Sequence, residues 1–489
     1  MIDTESLRKK VYDLAIQGKL TKQNSSYEGA DTLYTHVQEE KEKLIQEGQI
    51  RKEKNLPEIE AEEIPFEVPK GWRWARLGEI CLQITDGTHK TPVYQSEGVP
   101  FLSVKNISSG SFDLSDLKYI SETEHNELIK RCKPEKNDVL VCRIGTLGKA
   151  KTIDIDLEFS IFVSLGLIKT TEKTVSDYIA LVINSGYGDT WIRDNKAGGA
   201  MHTYKINLNS LALLPIPLAP LYEIEEILEK ISEVNSLISH IKELQELYYR
   251  DLSVLKSKII DAGIRGKLTE QLPEDGDAET LYAQIQEEKA KFIKEGKIKK
   301  EKPLPEIDAD EIPFEIPKNW KWVRLGDISS KIASGNTPAG GKRSEAYVEK
   351  GFCFFREQNI YNDGIREDGM VYISKELLDT RHNSTVLPKD ILLNITGGSI
   401  GRCAIIPDDF SKGSINQHIL IIRMVDERLR KYIHHCLCSP FMQKYIKGNA
   451  VGDKDGFSGG RCKNMLIPLP PLKEQERICD MTDAIIEKM

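Results

Sequence analysis

The 489-residue sequence has no run of about 18 apolar residues, the length that a helix needs to cross a bilayer. Its first ten residues, MIDTESLRKK, lack the apolar core of a secretory signal. The nine cysteines are odd in number and scattered, a usage typical of reduced thiols and not of a disulfide framework. These absences predict a cytoplasmic protein without a membrane partner.

Catalytic motifs are missing as well. The glycine-rich segments GTLGK at 145–149 and GGSIGR at 397–402 do not fit the spacing of a phosphate-binding loop, and turns at strand ends explain them better. The chain has no Asn-Pro-Pro-Tyr-like box and no glycine-rich cofactor loop of the kind that an adenine methyltransferase needs. We therefore predict no catalytic residue and no cofactor in this chain.

Candidate metal ligands are too few in the sequence. His434, His435, Cys436 and Cys438 lie close together, but in a predicted helix adjacent residues, and residues two apart, point to different faces. No second pair of ligands follows at the spacing of a zinc site. The sequence predicts no metal.

The net charge of −8 is concentrated in two stretches. Residues 28–67 carry 12 acids and 5 bases, and residues 276–315 carry 11 acids and 7 bases, so the rest of the chain carries +3. An acidic protein of this kind can still present basic faces, and a phosphate backbone responds to the local field. The overall charge therefore does not exclude nucleic acid as a partner.

An internal repeat dominates the sequence. A shift of 248 positions aligns residues 7–80 with 255–328 without a gap, and 43 of the 74 pairs are identical. GKLT recurs at 18 and 266, IPFE at 64 and 312, and P-K-x-W-x-W-x-R-L-G at 69 and 317. A period this long indicates duplicated domains, because solenoid repeats are no longer than about 50 residues.

A second match, at a shift of 251, closes each repeat. IPLAPLYE at 216–223 corresponds to IPLPPLKE at 467–474, and a helical pattern follows each motif. The prolines end a preceding strand and preset the first turn of the helix that follows. Each repeat is therefore predicted to be a globular body followed by a long helix.

The segment 222–265 has a heptad seam, the pattern of a helix that packs lengthwise against another helix. At 1.5 Å per residue such a helix is about 60 Å long, which predicts a strut outside any single core. Gln245 is the one polar residue of the seam, and a polar residue there typically fixes register or partner. The predicted interface residues are Ile227, Ile231, Val234, Ile238, Ile241, Gln245, Tyr248, Leu252, Leu255 and Ile259.

The two ends of the chain complete a second strut. Met1 corresponds to position 249 under the first shift, and Met489 to position 238 under the second. We predict an α+β protein with mixed or antiparallel sheets, in which a long antiparallel coiled-coil pair with pseudo-two-fold symmetry separates two similar bodies. The predicted boundaries are 1–20 and 473–489 for the split strut, 21–221 and 266–472 for the bodies, and 222–265 for the central helix.

The motifs IPLAPLYE and PLPPLKEQERI, the strand-turn pair DVLVCRIGTLGK and DILLNITGGSIGR, and the plan of two bodies and two struts resemble the DNA specificity subunit of type I restriction-modification systems. The resemblance covers nearly the whole chain. It implies that each body is a target-recognition domain for one half of a bipartite site in double-stranded DNA. It also implies that the struts dock two copies of an adenine methyltransferase subunit, which a restriction and translocation subunit joins. S-adenosylmethionine is then expected on the methyltransferase, and phage defence is the expected role.

Two pairs of segments are the predicted DNA contacts. One pair precedes the closing proline motifs, at 193–205 and 444–463, where glycine-rich, net-basic loops can approach phosphates. The other pair comprises the strand ends at 105–106 and 356–359, whose amides suit adenine edges. The predicted residues are Lys105, Asn106, Arg193, Lys196, His202, Lys205, Arg356, Gln358, Asn359, Lys447, Lys454, Arg461 and Lys463.

Two other hypotheses remain open from the sequence. A protein scaffold with duplicated binding bodies would ignore DNA, whereas the affinity of a DNA reader falls steeply with added salt. Recruitment to a modification system that has no restriction partner has the same sequence signature as the first hypothesis.

Overall fold

The computed structural model describes residues 2–22, 28–52, 54–198, 204–338, 346–449 and 457–489. The chain divides into two compact units, Met1–Glu246 and Leu247–Met489, so that each unit takes one part of the central helix. Across the described segments, no helix combines the length and the apolar character that crossing a bilayer requires.

Unit 1 consists of a body of small sheets and helices and the first part of the central helix. Its helices are α1 (Thr4–Ile16), α2 (Ala30–Gln46), α3 (Glu122–Leu128), α4 (Lys173–Asn184), α5 (Gly186–Asp194), α6 (Leu208–Ala212) and α7 (Leu221–Ile264), which continues into unit 2. Its strands are β1 (Arg73–Arg76), β2 (Gln83–Asp86), β3 (Val99–Leu102), β4 (Lys118–Ile120), β5 (Val139–Cys142), β6 (Ala150–Thr152), β7 (Ser160–Ile161), β8 (Leu165–Lys169) and β9 (Pro215–Leu218).

The body of unit 1 contains two main sheets. Strands β2, β8, β5 and β6 form an antiparallel sheet in that order, and β4, β3 and β7 form a mixed sheet in which β3 and β7 are parallel. Strands β1 and β9 pair separately, with Trp74 opposite Pro217. Helix α4 packs against the antiparallel sheet and contributes the fully buried Tyr178 to the core.

Unit 2 repeats this plan. Its helices are α8 (Ala278–Lys294), α9 (Leu325–Ile328), α10 (Lys375–Asp379), α11 (Arg430–Cys438), α12 (Pro440–Gly448), α13 (Gly459–Lys463) and α14 (Leu472–Glu487). Its strands are β10 (Lys321–Arg324), β11 (Ser329–Ser334), β12 (Tyr347–Val348), β13 (Phe352–Phe355), β14 (Ile360–Tyr361), β15 (Gly364–Ile365), β16 (Val371–Ile373), β17 (Thr385–Val386), β18 (Ile391–Asn394), β19 (Cys403–Ile405), β20 (Gly413–Ile415), β21 (Ile419–Met424) and β22 (Leu466–Leu469).

The sheets of unit 2 match those of unit 1 in type. Strands β11, β21, β18 and β19 form an antiparallel sheet, and β12, β16, β13, β20 and β17 form a mixed sheet in which β13 and β20 are parallel. The prediction of an α+β protein with two similar bodies is confirmed. The sequence predicts a single helix near Arg428 to Ile446. The chain forms α11 and α12 there instead, because Ser439 caps a new helix and Pro440 has no N–H to continue the first.

Each part of α7 packs against a terminal helix of its own unit. In unit 1, α1 runs antiparallel to α7, and Tyr12 Oη donates to Asn235 Oδ1 at 3.2 Å. The polar seam residue Gln245 holds the start of this helix pair, because its Oε1 accepts the backbone N–H of Ile2 at 2.8 Å. In unit 2, α14 runs antiparallel to the second part of α7, because Gly263 lies against Ile478 and Tyr248 Oη donates to the carbonyl oxygen of Met489 at 3.3 Å. The predicted antiparallel helix pairing is therefore present within each unit.

The heptad residues of α7 are buried near the bodies and exposed in the middle of the helix. Ile227, Ile231 and Ile238 are buried, whereas Tyr248 and Leu255 are 55% and 48% exposed. The half-buried members are Val234, Ile241, Gln245, Leu252 and Ile259. The middle of the long helix thus presents apolar side chains to solvent.

A buried carboxylate ties each body to the helix that follows it. In unit 1, the indole N–H of Trp72 donates to Glu223 at 2.7 Å, and Thr21 Oγ1 donates to the same carboxylate at 2.6 Å. In unit 2, Trp320 donates to Glu474 at 2.8 Å. Both carboxylates are at most 1% exposed. The repeated tryptophan motif and the repeated proline-glutamate motif of the sequence therefore meet in space.

We expect Glu474→Ala to lower the free energy of unfolding by about 2 to 3 kcal/mol, because it leaves the buried indole N–H of Trp320 without its acceptor. Glu474→Gln should cost less, because an amide oxygen can still accept that hydrogen bond. Urea unfolding of the full chain measures both, with Glu476→Ala at an exposed position of α14 as the matched control. If all three variants were equally stable, the hydrogen bonds that Glu474 accepts would not stabilise the fold.

Candidate nucleic-acid interface

In unit 1, loops from both main sheets meet at one end of the body. Asp86 ends β2 opposite Gly166 of β8, and Cys142 ends β5 at the same edge. The mixed sheet ends beside them, because the backbone N–H of Thr88 donates to the carbonyl oxygen of Ile161 at 3.1 Å. This end of the body is therefore built from several chain segments.

The described parts of both predicted DNA-contact segments of unit 1 lie at that end. The N–H of Val104 donates to Ser164 Oγ at 3.2 Å, which fixes the short 3-10 helix that carries Lys105. Lys205 forms a backbone bridge with Ile144, next to the end of β5. The loop face of unit 1 is defined here as residues 86–90, 104–106, 143–149, 162–164, 193–198 and 204–206.

The predicted cations of this face are largely free to meet a ligand. The exposed ones are Lys105, Arg193, Lys196 and Lys205. Lys196 Nζ lies 4.4 Å from the centroid of the Tyr204 ring, which is 50% exposed. Arg193 Nε donates to Asp189 Oδ1 at 3.1 Å, so part of its charge is compensated. His202 lies outside the described residues.

A pocket that sequence reasoning missed adjoins these loops. It has a volume of about 380 Å³, and its charged and imidazole lining residues are His89, Lys90, Glu127 and Arg131. A Cβ at Gly87 would lie 2.0 Å from the carbonyl oxygen of Ile161, so only glycine allows the loop to pass this close. One feature of the sequence could have pointed to this loop. Gly87 has a counterpart, Gly335, under the shift of 248 positions, although both lie just beyond the aligned segments 7–80 and 255–328.

The buried carboxylate of Asp86 orients the cations of the pocket. It accepts hydrogen bonds from Arg131 and Arg143, and its Oδ2 lies 3.1 Å from His89 Nε2. Arg143 is buried and also donates to the carbonyl oxygen of Ile206 at 3.2 Å. The side chains of Arg131 and His89 are 57% and 66% exposed. One carboxylate thus holds the guanidinium of Arg131 and the ring of His89 at the surface, an arrangement suited to a phosphate.

Unit 2 brings the corresponding segments together. The N–H of Asn416 donates to the carbonyl oxygen of Phe355 at 3.2 Å, and the N–H of Phe457 donates to that of Ile395 at 2.9 Å. The side chain of Asn394, the last residue of β18, donates to the carbonyl oxygen of Glu357 at 2.8 Å. The loop face of unit 2 is defined as residues 334–338, 356–359, 394–401, 416–418 and 457–461.

The loop face of unit 2 carries amide, hydroxyl and imidazole groups in addition to Arg356 and Arg461. Gln417 is exposed and contacts Thr337 and the Nε2 atom of His418, the latter at 3.1 Å. His418 Nδ1 lies 2.7 Å from Thr396 Oγ1. An amide offers a donor and an acceptor together, which matches the major-groove edge of adenine. The two loop faces therefore share a scaffold and differ in chemistry.

Glu357 is the acidic residue of this face. Burial raises its pKa, but hydrogen bonds, led by the one that Asn416 Nδ2 donates at 2.8 Å, outweigh burial and hold the pKa of Glu357 below its ordinary value. The carboxylate is therefore ionised near neutral pH and is bound by a neighbour within the face.

The predicted cations of unit 2 are more engaged than those of unit 1. Lys463 Nζ lies 2.6 Å from Glu301, and the half-buried Arg461 donates to the carbonyl oxygen of Asn449. The guanidinium of Arg356 and the exposed Gln358 both donate to the carbonyl oxygen of Gly369. Lys447 is exposed at the end of α12. Lys454 lies outside the described residues.

Asn106 and Asn359 need a correction, because both were predicted to reach base edges. They are 7% and 0% exposed, and each amide is used within its own turn. Asn106 Oδ1 accepts from the N–H of Ser103 at 2.9 Å, and Asn359 Oδ1 accepts from the N–H of Arg356 at 3.0 Å. The two asparagines are therefore matching structural residues that shape the turn beside the exposed Lys105 and Gln358.

Both loop faces fall within segments that match a known family. The sequence profile of the type I restriction modification DNA specificity domain matches residues 69–248 and 317–489. The chain belongs to this family. Each matched segment begins at the P-K-x-W motif and includes the loop face of its unit. The specificity subunits of this family recognise DNA sequence and are non-catalytic, in agreement with the function that the resemblance implied.

Similar proteins support this membership along the whole chain. The specificity subunit of the type I restriction enzyme EcoAI of Escherichia coli is 27% identical over 99% of this chain and 89% of its own length. That of EcoEI, also from Escherichia coli, is 25% identical over 97% and 87%. A solved chain of a type I restriction-modification system, 19% identical, aligns over 87% of this chain and 92% of its own length with a TM-score of 0.56. The similarity to this solved chain shows a shared fold.

We expect Lys105→Ala and Lys205→Ala in this specificity protein each to weaken DNA binding and to reduce the slope of log affinity against log salt by about 1, because each removes one phosphate contact. Fluorescence anisotropy across a salt series measures both quantities. Lys136→Ala is the matched control, since this exposed lysine precedes the opposite end of β5. Unchanged affinity and slope for both loop-face variants would remove these lysines from the interface.

Asn359→Ala should instead lower the free energy of unfolding by about 1 to 3 kcal/mol, because it leaves buried backbone groups without partners. Gln358→Ala, one residue earlier and exposed, should leave stability within about 0.5 kcal/mol of the original. Thermal and urea unfolding distinguish the two. A stable Asn359→Ala protein with lost sequence preference would restore the base-reading role.

Proposed function

We propose that this protein reads a bipartite DNA site, with the loop face of unit 1 contacting one half-site and the loop face of unit 2 contacting the other. The observation that carries the proposal is that two units of one fold present different side chains at the same end of the body. A duplicated scaffold with diverged loops is what recognition of two different half-sites requires, with the base pairs between them left unread.

The two faces would contribute differently to binding. The cations of unit 1, such as Lys90 and Arg131, are suited to phosphates and to guanine edges. The amide of Gln417 and the imidazole of His418 in unit 2 are suited to base edges. We therefore assign most of the salt-dependent affinity to unit 1 and a larger share of base discrimination to unit 2.

The exposed side chains of α7 support a docking role for the long helix. Leu237 and Leu244 in the unit 1 part are 63% and 51% exposed, and Leu247 and Val254 in the unit 2 part are 42% and 49% exposed. Exposed apolar residues at heptad spacing favour a protein partner. We propose two copies of an adenine methyltransferase subunit there, which carry S-adenosylmethionine and which a restriction and translocation subunit joins. The site of action would be host DNA in the cytoplasm.

Methylation-aware sequencing of cells that carry the whole system tests the bipartite reading. We expect one methylated motif with two half-sites and a fixed unread spacer. Gln417→Ala should relax the specificity of one half-site and leave the other unchanged, since only the unit 2 face is altered. The loss of a good base contact corresponds to about 1 to 3 kcal/mol of discrimination.

The control is Gln49→Ala, which removes an exposed amide outside both loop faces. The same motif in all strains, or relaxation of both half-sites together, would contradict the assignment of one face to one half-site. A purified complex with the methyltransferase that bound all DNA sequences alike would overturn the proposed function itself.

A further inference from the structure

Three side chains of metal-ligating type meet in unit 2, outside its loop face. Cys403 is the first residue of β19 and is buried, and His434 and Cys438 lie one turn apart on α11. The Sγ atoms of Cys403 and Cys438 are 3.5 Å apart, and Cys438 Sγ lies 3.7 Å from His434 Nε2. All three candidate ligand atoms lie within 4.8 Å of one another.

The sequence prediction of no metal considered only ligands within the helix. Adjacent residues of a helix point to different faces, but residues four apart, such as His434 and Cys438, share a face. The missing third ligand comes from the strand Cys403–Ile405, about 30 residues earlier, and no spacing rule reveals it. Only the packing of α11 against β19 brings the three side chains together.

Unit 1 shows what the same place in the fold holds when these ligands are not there. Ala150 starts β6 opposite Val141 of β5, as Cys403 starts β19 opposite Leu393 of β18. Tyr178 of α4 and Tyr432 of α11 occupy matching positions, because each donates to a proline carbonyl of the closing motif. Counting from these tyrosines, the counterparts of His434 and Cys438 are Ala180 and Asn184.

In unit 1 a single amide ties the strand to the helix. Asn184 Oδ1 accepts the N–H of Ala150 at 3.1 Å, and Asn184 Nδ2 donates to the carbonyl oxygen of Ala150 at 2.7 Å. In unit 2 the N–H of Cys403 is instead bound by Asn362 Oδ1 at 3.0 Å. The position of α11 that corresponds to Asn184 is therefore not needed for this hydrogen bond. It is occupied by Cys438, whose thiol faces the thiol of Cys403 and the imidazole of His434.

The distances suit a tetrahedral ion with little rearrangement. Zinc bonds of roughly 2.3 Å to sulfur and 2.0 Å to nitrogen place two sulfur ligands about 3.8 Å apart and a sulfur and a nitrogen about 3.5 Å apart. The observed separations of 3.5 and 3.7 Å are close to these values. His434 Nε2 also lies 3.0 Å from the carbonyl oxygen of Cys403, a contact that its ring would leave on binding.

We propose that Cys403, His434 and Cys438 form a three-ligand Zn²⁺ site that ties β19 to α11 in unit 2. Two thiolates and one imidazole are the donor set that zinc prefers, and water completes the fourth position. The ion would also stiffen the attachment of α14, because Lys431 of α11 lies 2.8 Å from Asp483 and His435 lies 3.3 Å from it. Zinc would connect the strand to the helix in unit 2, as the amide of Asn184 does in unit 1.

The test uses the reduced, full-length protein after chelator treatment and removal of the chelator. Titration with Zn²⁺ and elemental analysis should give about one tightly bound equivalent per chain, and Co²⁺ in its place should produce a thiolate-to-cobalt charge-transfer absorption. Binding should weaken as the pH falls, because the ligands must release protons. Zinc should also raise the temperature at which the chain unfolds.

Cys438→Ser and His434→Gln should each lose more than the roughly 10- to 100-fold in zinc affinity that removal of an outer-shell partner costs. Both positions are only partly buried, so these variants stay informative if Cys403→Ser fails to fold. Cys353→Ser, at a half-buried cysteine outside the cluster, is the matched control and should bind as the original protein does. The proposal is overturned if the original chain binds no zinc, if the two ligand variants bind it unchanged, or if thiol counting finds a Cys403–Cys438 disulfide that excludes the ion.

Discussion

The hydrogen bond between a buried tryptophan and a buried glutamate, made once in each unit, is the interaction on which the rest of the fold depends. Trp72 with Glu223, and Trp320 with Glu474, connect the residue just before the first strand of a body to the first turn of the helix that follows the body. Burying a carboxylate away from water costs free energy unless its oxygens accept hydrogen bonds. The pairing with tryptophan is therefore specific as well as stabilising. It fixes where each long helix leaves its body, and hence the position of every loop relative to that helix.

On this common frame the two units diverged where strands end. The same glycine, Gly87 or Gly335, lets a loop pass against the neighbouring strand in both units. Beyond it, unit 1 gathers cations around Asp86, whereas unit 2 gathers Gln417, His418 and hydroxyl groups. Loop ends tolerate such changes because their side chains contribute little to the core, so chemistry can change while the sheets remain.

Sequence reasoning predicted which segments share a surface better than which side chains are available on it. Composition located the basic loops, and both predicted segments of unit 1 lie on its loop face. It misjudged Asn106 and Asn359, because an amide that shapes a turn and one that reads a base look alike in sequence. It missed Arg131 and Cys403, whose partners are distant in the chain and adjacent only after folding.

The amino-acid sequence by itself determined the duplication, the α+β class, the long heptad helix and the absence of the motifs that catalysis would need, since these depend on periodicity and identity along the chain. Only the tertiary structure decided which side chains share a surface, which polar groups are already occupied, and that two thiols and an imidazole meet beside β19. The physical reason is that periodicity is a local property, whereas a site is set by contacts between residues far apart in the chain, and those contacts exist only in the folded protein.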